Sequence, residues 1–308
     1  MNGILIIDKP AGWTSHDAVA KLRGALKQKR IGHGGTLDPI ATGVLPVFIG
    51  RATRAAEFCE NTEKEYIAQI KLGITTDTQD ITGNVLSETD VNITADDLIS
   101  VLPGFTGKQK QIPPMYSAKK KDGKKLYDLA RKGIEIPREA ADVNIFELEL
   151  LEDTGSEDKG TVPVSCELGQ GDRPPVLRVV CSKGTYIRTL CHDIGEKLGC
   201  GGVMSALRRT TVGVYTIETA HSLDDVLAMC LTDSVKHIIL PVDSIFSHYP
   251  GITIPDSEVK KAKNGASCDV SGNIQPGKYR VYAPNGEFLL LGEVVNNRIK
   301  TIKSFFEV

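Results

Sequence analysis

Apolar positions along the chain follow two periods. Gly3–Asp8 (GILIID) is a short apolar run, and Glu65–Gly73 (EYIAQIKLG) alternates apolar with polar residues, so both predict strands. Asp142–Leu151 and Val176–Ser182 have the same texture. Helical spacing appears in Val19, Leu22 and Leu26 behind Ser15, a residue with an N-cap side chain. It appears again over Ala52–Glu60, over a capped stretch Thr94–Leu102, and over Ser222–Cys230. The clearest stripe is Ile187, Leu190, Ile194 and Leu198, which Gly199 stops. Asp153–Pro175 is polar and Gly-rich, with an apolar piece, Val162–Leu168, that predicts a hairpin strand. From about Pro250 the texture becomes short strands and turns, and Asn285-Gly286 between YRVYA and EFLLL is a hairpin signal. Strands and helices are thus mixed along the chain.

One stretch stands apart from both periods. GHGGTLDPIATGVL, Gly32 to Leu45, holds four glycines and one proline in fourteen residues. Glycine admits positive φ and close backbone approach, and Pro39 biases Asp38 toward extended geometry. The loop presents one carboxylate (Asp38), one imidazole (His33) and one hydroxyl (Thr36), followed by apolar Val44, Leu45, Val47, Phe48 and Ile49. A constrained polar loop running into a buried strand is a common way to present a catalytic group. Composition alone favours a plainer reading, a Gly-rich turn in which Asp38 caps a helix.

Length and composition narrow the classes. At 308 residues the chain is long enough for about two domains, and 41% hydrophobic residues suffice for an ordinary core. No apolar run is long enough to span a bilayer. The opening MNGILIIDKPAG lacks a basic n-region and reads as a strand, not a signal peptide. Seven scattered cysteines without a C-x-x-C pair argue against a disulfide framework and a structural zinc site. Cys191 and His192 are adjacent on a predicted helix and point about a hundred degrees apart, so packing explains them better than metal binding. Thr75–Gly83 (TTDTQDITG) fails the EF-hand template and reads as a turn. Neither a P-loop nor a G-x-G-x-x-G is present. The net charge of −2 speaks against nucleic acid for the chain as a whole, but seven basic residues between Lys119 and Lys132 face only Asp122 and Asp128. Interleaved with Tyr116 and Tyr127, that segment suits phosphates and bases, and its second half predicts a helix.

Three strings, K-P-x-G-x-T-S from Lys9, H-G-G-T-L-D-P-x-A-T-G from His33 and K-G-T-Y-I-R-T-L from Lys183, strongly resemble the TruB family, the bacterial tRNA pseudouridine-55 synthases. The resemblance covers nearly the whole chain, with Asp153–Pro175 as the main gap. It implies an α+β fold: a catalytic domain, residues 1–245, with a mixed, mainly antiparallel sheet flanked by helices. Residues 246–308 would form a small β-barrel resembling the PUA RNA-binding module. It further implies that Asp38 is the catalytic residue, that Arg188 pairs with it, and that Tyr66, in K-x-Y after Lys64, stacks on the target base. Leu207 would line the base pocket, and His33 would contact nucleotides flipped from the T loop. Lys64 and Tyr186 join them as substrate contacts, while Lys9 supports the fold. The reaction needs no cofactor and no metal. The implied partner is the tRNA T-arm stem-loop, with no membrane and no obligate protein partner, for a cytoplasmic monomer.

Three other readings compete. The chain could act on ribosomal or guide-directed RNA, although the Asp38 string and the lack of basic tails favour the stand-alone bacterial branch. It could be a non-catalytic RNA-binding or RNA-folding protein, against which the presence of Asp38, Tyr66 and Arg188 weighs. A two-carboxylate glycosidase lacks an evident second acid near the motif.

Overall fold

Thr14, and not Ser15, caps the first helix, Ser15–Ala25. The Thr14 hydroxyl accepts from the Asp17 amide at 3.0 Å, and the Asp17 carboxylate accepts from the Thr14 amide at 3.1 Å. These bonds form a capping box, and the Thr14 hydroxyl, which donates to the Asp17 carboxylate at 2.6 Å, together with the Thr14 amide holds that carboxyl below its ordinary pKa. Thr94 and Asp97 build the same box ahead of the helix Ala95–Val101, as that segment's pattern predicts. Ser15, released from capping, is buried and acts elsewhere.

The structure is a computed structural model, and it describes residues 1–117, 119–121, 123–151, 167–168, 174–270, 272 and 274–306. Of the predicted strand Val162–Leu168, only Glu167–Leu168 is described, paired with Ile93–Thr94. The rest of that expectation lies outside the described residues. Contacts divide the chain into two units that each gather distant segments. The first holds Met1–Pro39, Val44–Glu60 and Gly213–Val308; the second holds Ile40–Gly43 and Asn61–Val212.

In the first unit, strand Gly3–Lys9 lies between the short strand His221–Ser222, parallel to it, and strand Thr42–Ile49. Ile31–His33 pairs antiparallel with the end of that last strand. Leu5 and Ile7 pack with Val19 and Leu22 of the first helix and with Leu223 and Val226 of the helix Leu223–Leu231. Each such fully buried side chain contributes about 1.5–3 kcal/mol. The predicted helix Ala52–Glu60 is instead a 3-10 turn, Gly50–Ala55, followed by one α-turn, Ala56–Glu60.

The same unit contains a five-stranded C-terminal sheet, in the order Gly251–Thr253, Gly277–Tyr282, Phe288–Val295, Arg298–Ser304, Cys268–Asp269. Gly286 turns the expected hairpin with φ +84°. A helix that the strand texture hid, Asp256–Lys263, covers Ile254, Val281, Leu290 and Val294 through Ala262. The sheet is tied to other parts of the unit by Phe246, whose ring lies 5.1 Å from Phe58 and 5.6 Å from Phe305. Lys303 pairs with Glu57 at 2.6 Å, and the Arg51 guanidinium donates to the Phe306 carbonyl.

In the second unit, the strands Gly202–Val212, Lys64–Leu72, Val176–Cys181, Ala141–Leu150 and Gly107–Gln111 lie side by side, each antiparallel to the next. Thr42 and Gly43 run parallel to Arg208 and Arg209. The helix Ile187–Leu198 buries Ile187, Leu190 and Ile194, and left-handed Gly199 ends it, as the stripe predicts. Mainly antiparallel sheets with flanking helices agree with the expected α+β class. Gly202–Val212 is a long strand that the periodicity did not reveal.

Gly43 sits where its strand presses on a neighbour. Its φ is +102°, and a Cβ there would run into the Arg209 carbonyl oxygen and lie 2.8 Å from the Arg209 amide nitrogen. Gly12 also has positive φ, +81°, but nothing lies within 4 Å of its would-be Cβ. Gly12→Ala therefore carries only left-handed strain, about 1–2 kcal/mol. Gly43→Ala adds a backbone clash and costs at least about 3 kcal/mol. Equal losses in urea unfolding would show that the strand does not make this approach.

Candidate functional site

The Gly-rich loop is fixed by bonds on both sides of Asp38. The Ser15 hydroxyl accepts from the Leu37 amide at 2.8 Å and donates to the Leu37 carbonyl at 3.2 Å. On the far side, the Gly12 amide donates to the Pro39 carbonyl at 2.8 Å. Asp38, half-buried, is carried between two residues whose backbones are held. A turn and a strand, Thr42–Ile49, follow it, so Asp38 caps no helix. Upstream, a Cβ on Gly34 would lie 2.7 Å from Cys59 Sγ and from the Phe48 ring, so only glycine fits there. His33 ends the strand Ile31–His33, and its ring meets His16 edge-on at 5.5 Å. A group carried on a fixed backbone keeps its reactive geometry without reordering at each turnover.

The second unit gathers the other candidates. Tyr66 stands opposite Arg209, and Ala68 opposite Leu207, in an antiparallel ladder. Directly opposed side chains share a face, so Tyr66 and Leu207 are diagonal neighbours on one side of the sheet, and both are buried. Lys64 is also buried, and its ammonium donates to the Thr62 carbonyl at 2.7 Å. Tyr186 is the N-cap of the helix Ile187–Leu198, and Arg188 follows in the first turn.

Arg188 is 5% exposed, which for a guanidinium demands partners. Its Nη2 donates to the Tyr116 carbonyl at 2.9 Å and its Nη1 to the Thr78 carbonyl at 3.2 Å. The Asp80 carboxylate, itself 5% exposed, lies 3.7 Å from Nη1. Asp80 is set in place by Thr82, which donates to it from its amide at 3.0 Å and its hydroxyl at 2.6 Å, and by the Thr78 hydroxyl at 2.9 Å. The Thr75–Gly83 segment is thus a turn, as expected, but it also supplies a buried acid. Asp80 and Ser15 build the site in ways that the sequence did not show. The one available signal was the threonine two places to either side of Asp80, which marks a self-bonded Asx turn.

The thiols near this helix are quiet. Burial pushes Cys181 up to about 11 and Cys191 up to about 12, so neither is a thiolate at neutral pH. Among the described residues, no three His, Cys, Asp or Glu side chains are grouped to hold a metal ion, and no helix is long and apolar enough to cross a membrane.

The family model described as "TruB family pseudouridylate synthase (N terminal domain)" matches residues 23–187, which include Asp38 and Tyr66. The chain belongs to the TruB family. A second TruB model, the "tRNA pseudouridylate synthase B C-terminal domain", matches residues 188–247, beginning at Arg188. A TruB relative, "tRNA pseudouridine synthase B" of Syntrophomonas wolfei, is 42% identical, over 98% of this chain and 96% of its own. The protein of the same name from Clostridium kluyveri is 40% identical, over 99% of this chain and 100% of its own. Among solved structures, "Structure of H/ACA RNP bound to a substrate RNA containing 2'-deoxyuridine" has a chain that superposes with a TM-score of 0.71. It is 26% identical, over 99% of this chain and 85% of that one.

The Arg188 arrangement makes a prediction of its own. Arg188→Met leaves the Asp80 carboxylate buried without this cation and should destabilise the protein by about 3–5 kcal/mol. Adding Asp80→Asn should recover part of the loss, because the stranded charge is gone. A double variant whose loss equals the sum of the two single losses, by urea unfolding, would contradict the pairing.

Proposed function

We propose that this chain isomerises uridine to pseudouridine at position 55 in the T loop of tRNA, with Asp38 as the reacting carboxylate and no cofactor. The observation that carries the reading is the Asp38 loop, pinned at Leu37 by Ser15 and at Pro39 by Gly12. In the reaction the bond from the ribose C1′ to uracil N1 breaks, the base turns, and C1′ bonds to C5. The proton on C5 leaves and N1 ends with a proton, so atoms balance and no electrons are exchanged. A free aspartate, with a pKa of about 3.9, is ionised at neutral pH, as such a step against the sugar requires.

The other residues take roles that the family resemblance suggests and their settings suit. Arg188 is the cation for the reacting carboxylate. Tyr66 stacks on uracil beside Leu207, and their buried face helps exclude water that would turn isomerisation into hydrolysis. His33 contacts flipped-out nucleotides, with Lys64 and Tyr186 as further substrate contacts. The basic segment forms strands Lys120–Lys121 and Lys124–Lys125 and the short helix Leu126–Ala130. There the Tyr127 ring has Lys125 Nζ at 5.2 Å and the Arg131 guanidinium at 5.4 Å, a mixture suited to gripping the RNA backbone. Residues 1–245 act as the catalytic part and 246–308 as a PUA-like RNA-binding module, in a cytoplasmic monomer.

Asp38→Asn should lower the rate of pseudouridine formation by more than the ~10²–10³-fold that losing one preorganised contact costs, with RNA affinity near wild type. Substantial turnover in a clean preparation would remove Asp38 from the chemistry. Shape should matter as much, because proteins read RNA through bases splayed from folded loops. An isolated T-arm stem-loop should react nearly as well as whole tRNA and a linear strand of its loop sequence poorly. Equal rates on the two short RNAs would point to sequence readout instead.

Deletion from Tyr249 should weaken tRNA binding and flatten its dependence on salt, since phosphate contacts are lost. It should also lower stability, because Phe246 loses Phe288 and Phe305. An unchanged affinity and salt slope would mean that the module does not touch this RNA.

A further inference from the structure

The helix that carries Arg188 begins without a cap of its own. Tyr186 is its N-cap residue, in extended geometry (φ −99°, ψ 108°), and makes no side-chain cap bond. The Tyr186 backbone is held from seventy-five residues away. Its amide donates to Gln111 Oε1 at 2.8 Å, and its carbonyl accepts from Gln111 Nε2 at 3.0 Å. Gln111 is 5% exposed and ends the strand Gly107–Gln111. One carboxamide thus makes both bonds that a paired strand residue would make, and it makes them to a single residue two places before Arg188.

The other end of Arg188 returns to the same segment. Its guanidinium donates to the Tyr116 carbonyl, five residues after Gln111. Between them lie Pro113 and Pro114, both buried and with fixed φ, and Arg138 donates to the Pro113 carbonyl at 3.2 Å. The path from the Gln111 side chain to the Tyr186 backbone, along the Arg188 side chain to Tyr116, and back through the prolines closes on itself. Such a circuit sets the arginine at its root and at its head.

We infer that Gln111 is a positioning residue for the reaction: by fixing the Tyr186 backbone it aims the Arg188 guanidinium. The inference rests on the synthase reading above. A carboxamide is required because it donates and accepts at once. An ionised Glu only accepts and would face the Tyr186 carbonyl with a negative charge, and a Leu makes neither bond. A plain structural tie would lower stability alone; a positioning role lowers the chemical step and acts through Arg188.

The test is a single-turnover measurement on the T-arm stem-loop at saturating enzyme, with RNA affinity measured alongside. Gln111→Leu should slow the bound-state rate by about 10²-fold, the scale of a 1 Å misplacement, and change RNA affinity by less than about threefold. In an Arg188→Lys background the same change should cost less than about threefold, because the arginine that it positions is gone. Gln111→Glu, which keeps volume but sets a charge against the Tyr186 carbonyl, should slow the bound-state rate at least as much as Leu, and it replaces Leu in the cycle if that variant does not fold. An unchanged bound-state rate, a loss confined to affinity, or the same factor in both backgrounds would overturn the inference. An inactive wild type would overturn the synthase reading and the inference with it, whereas an active wild type with unaffected Gln111 variants overturns the inference alone.

Discussion

A guanidinium cannot be buried without partners, and the second unit is organised by that constraint. Leaving one charge of a buried pair uncompensated costs about 3–5 kcal/mol, a large share of the stability of an ordinary domain. Arg188 therefore needs acceptors from several directions, and the chain supplies them from segments far apart in sequence. The Thr78 carbonyl and the Asp80 carboxylate come from the turn after the strand Ile74–Thr76, and the Tyr116 carbonyl from the proline-stiffened loop. The turn is itself specified by Thr78 and Thr82, whose hydroxyls bond Asp80. Each bond is modest, but together they leave the arginine few alternative poses, and an arginine with few poses is of use to chemistry.

The first unit solves a similar problem with a neutral group. Asp38 sits on a glycine-rich loop, a kind of segment that by composition is loose. The Ser15 hydroxyl removes that looseness at Leu37 by bonding both the amide and the carbonyl, as the Gln111 carboxamide does at Tyr186. In both units a buried side chain with a donor and an acceptor holds the main chain beside a residue of the proposed machinery. The loop and the helix end then need no regular ladder of their own, and the side chain next to the clasp is left for other work.

How much of this was legible in the sequence depends on range. Glycines, prolines and helical stripes act locally, so the Gly32–Leu45 loop, the helix closed by Gly199 and the hairpin at Asn285-Gly286 could all be read. The Asp38, Tyr66 and Arg188 strings could be read because they match a family, not because any spacing brings those residues together. What escaped depends on contacts at long range or on backbone angles. Thr14 and Ser15 are adjacent hydroxyls, and only φ and ψ decide which one caps and which one reaches Leu37. Gly202–Val212 hid because two irregularities in its pairing, after Met204 and after Arg209, break the alternation that marks a strand. Asp80 read only as a turn residue and Gln111 drew no reading at all, since their partners, Arg188 and Tyr186, lie about 110 and 75 residues away.

The most direct test of the central claim is a map of modified positions. Unmodified tRNA transcript is incubated with the wild-type protein alone, without added metal or cofactor, and every pseudouridine is located along the RNA. The account predicts a single pseudouridine, at position 55 in the T loop, formed to near completion. No pseudouridine, or pseudouridine only at positions outside the T loop, would contradict it.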